Sequence, residues 1–130
     1  MEKTSNLYNV KLHGGVKKGL KQRDLVNEVV LDYIKKQSNP TLQNIQNAFP
    51  KSVQKKLEIV VDEFEAAELN SKRKQYHVFD QALNSSGVAF AICNQWGVAN
   101  IDNFITHAKN MGYEITLEGD VFSRDGQGPS

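Results

Sequence analysis

The residues whose types could do chemistry fall into four groups. Trp96, the only tryptophan, sits in the polar turn Asn94-Gln95-Trp96-Gly97, with Asn100 and Asp102 close behind. An indole offers a flat stacking surface, and side-chain amides both donate and accept hydrogen bonds. Gln95 and Trp96 are therefore a candidate ligand- or base-contacting surface. A structural reading competes: the indole plugs the end of a core, while Asn94 and Asn100 bond to turn and helix backbone. Cys93 and His107 carry the atoms of a nucleophile and its base, but no third residue is placed to orient the histidine. Cys93 ends an apolar run, where a free cysteine is usually a small buried hydrophobe, and His107 reads as a packing or surface residue. Glu58, Asp62, Glu63, Glu65 and Glu68 form the third group. Metal-dependent hydrolysis needs carboxylates converging from different elements. These follow one predicted helix and read as its solvated faces.

The fourth group is basic. Lys51, Gln54, Lys55 and Lys56 open that same helix, and Lys72, Arg73 and Lys74 form a run beyond it. Cationic side chains neutralise phosphates, and glutamine can read base edges. Solvation accounts for each lysine equally well. Neither a metal nor a cofactor is expected: no Cys/His spacing suits zinc, and the single cysteine excludes an intrachain disulfide.

The elements that must position these groups can be read from periodicity. Tyr8, Val10 and Leu12 alternate with polar residues, His13-Gly14-Gly15 is a turn signal, and residues 16–20 suit the return strand of a hairpin. Its lysines, Lys11, Lys17, Lys18 and Lys21 among them, suit a solvated edge. A helix is predicted over residues 24–37, capped by Asp24 and stopped at Ser38-Asn39-Pro40. A short helix capped by Thr41 ends at Pro50, and a third, capped by Ser52, is predicted over residues 52–69 along Val53, Leu57, Val60, Val61 and Phe64. Strands follow over residues 75–79 and 88–93, with branched and aromatic residues on one face of the second and small ones on the other. A helix capped by Asn100 over residues 101–111 ends at Gly112. A last strand covers residues 113–117, and Val121-Phe122 pair briefly.

The predicted fold is α+β: a three-helix, winged-helix-like N-terminal half and a small antiparallel sheet with one further helix. Residues 1–122 form one domain, its helical half at about 24–70 and its strand-helix-strand half at about 75–122. Residues 123–130 are a flexible tail. The 130 residues hold 16 basic and 15 acidic side chains, a net charge of +1, so no global charge demands a nucleic-acid or membrane partner. The N-terminal stretch lacks the apolar core of a signal peptide, and no apolar run approaches membrane-spanning length. A cytoplasmic protein is the expectation.

Ala91-Ile92-Cys93-Asn94-Gln95-Trp96-Gly97, then Asn100-Ile101, Phe104-Ile105, Ala108 and Gly112-Tyr113, resemble a set of uncharacterised prokaryotic proteins. These share an apolar strand ending in a Gln-Trp-Gly turn, an Asn-Ile-x-x-Phe-Ile helix and a Gly-Tyr exit. The helix-Asn-Pro-Thr-helix-Phe-Pro segment at residues 29–50 is also similar. Asn84-Ser85-Ser86-Gly87 departs from the pattern, which has an acidic residue beside the turn glycine. Some members are parts of larger proteins linked to DNA restriction or mobile elements, so the resemblance implies a DNA- or defence-related role and transfers no catalytic residue. The expected function is non-catalytic binding, of DNA first, in a bacterium or phage. The alternative is a protein-interaction module, a homodimer or a phage regulator acting on a host factor.

Overall fold

A computed structural model describes residues 7–117. β1 (Tyr8–Leu12) and β2 (Gly15–Leu20) form the predicted antiparallel hairpin, turning at His13-Gly14. Asn9 locks it from the side, accepting from Gly19 N at 3.1 Å. α1 (Gln22–Lys36) buries Leu25, Val26, Val29, Val30 and Ile34 on one face. It starts two residues earlier than predicted, after Lys21, so Asp24 is no N-cap; it lies in the first turn, where a negative charge still suits the helix dipole. α2 (Leu42–Ala48) is capped as predicted, Thr41 Oγ1 accepting from Asn44 N at 3.1 Å.

The third helix departs from expectation. α3 (Lys51–Gln54) is a single turn, closed by Lys55 in the left-handed region at φ +91°. The chain then straightens into β3 (Val60–Asp62) and re-enters a helix, α4 (Glu63–Lys72). Asp62 caps α4 by accepting from Glu65 N at 2.8 Å. The helical spacing of Val53, Leu57, Val60 and Val61 is therefore carried by three elements. The β-branched run Ile59-Val60-Val61 prefers a buried strand, and it finds one to pair with.

β4 (Tyr76–Leu83) and β5 (Ala89–Cys93) pair as an antiparallel hairpin. β4 runs four residues beyond its predicted end and bulges between Phe79 and Leu83. α5 (Ile101–Asn110) ends at Gly112, φ +107°, where Gly112 N bonds to Lys109 O and Tyr113 N to Ala108 O, each at 3.0 Å. That pair of bonds is a Schellman cap, which requires the left-handed glycine. β6 (Glu114–Leu117) follows.

The architecture is α+β with two three-stranded antiparallel sheets, ordered β2-β1-β6 and β3-β5-β4. β5 is buried at all five positions. Its Phe90 and Ile92 join a core with Val10 and Ile115 of the other sheet and with Leu25, Val29, Phe49 and Phe104 of the helical layer. Its Ala91 and Cys93 face a second cluster with Val61, Ala66 and Tyr76 under α4. The predicted division of β5 into a large-residue and a small-residue face is this two-sided packing. No helix among the described residues is long and apolar enough to cross a membrane. The predicted pairing at Val121-Phe122 and the tail at 123–130 lie outside the described residues.

Candidate nucleic-acid interface

The register of the second sheet decides where the basic groups lie. β5 is central, with Val60 opposite Ile92 on one side and Tyr76 opposite Cys93 on the other. The backbone bonds continue one step past the strands: Cys93 N donates to Ile59 O and Asn94 N to Gln75 O, both at 2.8 Å. The segment entering β3 carries Lys51, Lys55 and Lys56. The segment entering β4 carries Lys72, Arg73 and Lys74. The segment leaving β5 carries Gln95 and Trp96. Three stretches far apart in sequence thus meet at one end of one sheet, with strands about 4.8 Å apart. All six cationic side chains are exposed. Glu58 lies in the same end, and its carbonyl accepts from Tyr76 Oη at 2.8 Å. Burial, then the nearby Cys93, Glu65 and Glu58, push the Tyr76 hydroxyl above its ordinary pKa, so it remains a donor.

Gln54 is corrected. It is 5% exposed, and both its amide nitrogen and its amide oxygen are hydrogen-bonded within the protein. Nε2 donates to Gln95 O at 2.8 Å, while Oε1 accepts from Lys56 N at 3.0 Å and Leu57 N at 2.9 Å. It ties the end of α3 to the Trp96 turn and cannot also read a base.

Trp96 makes the contacts that its structural reading asks for. Its Nε1 donates to Cys93 O at 2.9 Å, and its ring meets Phe104 edge-on, centroids 5.4 Å apart. Gln95 is half-buried; its Nε2 donates to Asn94 Oδ1 at 2.6 Å. Asn100 does not cap α5 with its side chain. Its Oδ1 accepts from Gly97 N at 2.9 Å, and its Nδ2 reaches Gln95 O at 3.3 Å, closing the turn on itself. Val98, at the tip of that turn, is 85% exposed.

The nucleophile-base reading of Cys93 and His107 finds no geometry. Cys93 is fully buried, and burial pushes its thiol up to about 11, a lesser downward pull coming from Gln95 N. His107 Nε2 donates to Ala48 O at 2.6 Å and its ring packs edge-on to Phe49, fastening α5 to α2. The acidic group is likewise dispersed: Asp62 caps α4, Glu63 Oε2 accepts from Ala89 N at 3.0 Å, and Glu65 and Glu68 face solvent. No cluster of three or more His, Cys, Asp or Glu among the described residues could hold a metal ion.

One arrangement escaped the sequence reading. Asp32, 9% exposed, accepts from His13 N at 3.2 Å, bonds His13 Nδ1 at 2.5 Å and accepts from Tyr113 Oη at 3.0 Å. Burial favours the neutral acid, but the hydrogen bonds and charge of these partners win and hold the carboxyl below its usual range. A signal was available. Asp32 stands seven residues after Leu25 and three after Val29, on the buried stripe of α1, where an acid needs a partner. Compared with protein families, curated proteins and solved structures, the chain matches none.

Proposed function

We propose that the protein is a non-catalytic DNA-binding protein of a bacterium or phage, and that it contacts DNA with the end of its second sheet. The observation that supports this reading is the convergence of Lys51, Lys55, Lys56, Lys72, Arg73 and Lys74, from two segments, around the turn that leaves β5. Cations arranged across one sheet end can meet phosphates along a backbone, and Gln95 sits between them. In a winged helix the third helix fills the major groove. With α3 only four residues long, the contact proposed here is made by the loops at this sheet end.

The experiment is binding of short duplex and single-stranded DNA across a salt series. Each phosphate neutralised contributes about −0.9 to the slope of log affinity against log salt. Lys55→Glu with Lys56→Glu is expected to weaken binding and flatten that slope by about two. An unchanged affinity and slope would remove these lysines from the interface. Absence of binding at low salt would turn attention to a second reading, a protein-interaction module. Phe64, 68% exposed on the acidic α4, favours that alternative, because an apolar ring set among carboxylates suits a protein partner better than a phosphate backbone.

A further inference from the structure

At the opposite end of β4 from the basic segments, the hairpin turn of β1–β2, α1 and the β4 bulge enclose a cleft of about 720 Å3. Pockets for small organic ligands span about 300–1,000 Å3, so this one is sized for a single metabolite. Its floor is one face of α1, where the helical repeat aligns Glu28, Leu31, Asp32 and Lys35. One wall is the stretch from Gly14 to Lys17, and the other is Gln81 to Leu83, where β4 leaves its register with β5. Val16 and Leu83, both lining the cleft, are each about half exposed to water, at 47% and 48%. Two solvent-facing apolar side chains in one cleft offer an apolar surface to a flat ring. Lys17 and Lys35 bring positive charge to the same cleft, and Glu28 brings a hydrogen-bond acceptor.

The His13–Asp32 dyad adjoins this cleft. Asp32 belongs both to the cleft floor and to the His13 contact, and the residues on either side of His13 line the cleft. With Nδ1 bonded to Asp32, Nε2 is the ring nitrogen left for solvent. We propose that this cleft binds a purine nucleoside monophosphate, its base against Val16 and Leu83, its exocyclic amine toward Glu28, and its phosphate at Lys17 and Lys35. The opposing reading, in which Asp32 only fastens the hairpin to α1, accounts for the dyad and leaves the cleft without a ligand.

The test is a two-dimensional NMR titration of the full chain with AMP, and separately with adenosine and inorganic phosphate. AMP is expected to give saturable shifts at the amides of Gly14 to Lys17, Leu31 and Gln81 to Leu83, with higher affinity than either fragment. Lys17→Glu with Lys35→Glu, both at exposed positions, should weaken AMP about tenfold or more, as loss of charge-assisted hydrogen bonds does. No saturable shift at millimolar AMP overturns the proposal. So do shifts produced equally by phosphate alone, or AMP affinity unchanged in the lysine variant. Each outcome is independent of DNA binding at the other end of β4.

Discussion

Gln54 holds three backbone groups with one amide, and that is why a residue type suited to reading bases is unavailable for it. Its carbonyl oxygen fastens the two N–H groups released when α3 stops, and its NH2 group fastens the turn that follows β5. Gln54→Leu would keep the volume and leave those groups short of partners. Each unsatisfied buried group costs about 1–3 kcal/mol, so a loss of that size or more is expected in urea unfolding, read as a lower midpoint at constant slope. A change below about 0.5 kcal/mol would mean that water replaces the amide without penalty. Cys93 illustrates the same logic for reactivity. A thiol raised to about 11 is almost entirely protonated at neutral pH, so its burial and its chemistry agree.

At the scale of elements, the break between α3 and α4 separates what sequence could say from what it could not. The hairpin of β1 and β2, the Thr41 cap, the two faces of β5 and the left-handed exit at Gly112 were all legible, because each depends on residues close together in the chain. The strand β3 was not. Val53, Leu57, Val60, Val61 and Phe64 fit a helical stripe, and neither glycine nor proline marks the turn at Lys55. What decides the matter is distant: β5 is buried on both faces, and its backbone groups need a ladder on each side. The five exposed lysines and Arg73 were legible as residues, while their meeting at one sheet end depends on that unread strand. The His13–Asp32–Tyr113 contact includes a bond across 81 residues, from Tyr113 to Asp32, and left only one trace, an acid on an apolar stripe. Lys55 carries a cost for the break, since a side chain in the left-handed region is disfavoured by about 1–2 kcal/mol. Lys55→Gly is expected to raise stability by about 0.5–1 kcal/mol, the loss of backbone freedom in the glycine offsetting part of the gain. Thermal unfolding of the two proteins side by side checks it, and a destabilised glycine variant would count against strain at this position.

At the scale of the whole molecule, one core joins both sheets, and Phe49 stands near its middle. It stacks on Phe104 at 6.0 Å and meets Tyr33 edge-on at 5.3 Å. Phe49→Ala is expected to cost about 3–5 kcal/mol. Because the same cluster contains Val10 and Ile115 of the first sheet and Phe90 and Ile92 of the second, the loss should appear as one shared transition at lower denaturant. Two separated transitions, one for each sheet, would show that the core does not couple them. The first sheet also has a temporal side. Its central strand, β1, pairs with β2 within a few residues but with β6 only after a separation of about a hundred, Val10 lying opposite Ile115. On the ribosome β1 emerges early and must wait with one edge open until β6 has been made. For that interval the growing chain carries an unprotected strand, and the lysines along its hairpin, Lys11, Lys17 and Lys18, are the groups in place to keep neighbouring nascent chains from pairing with it.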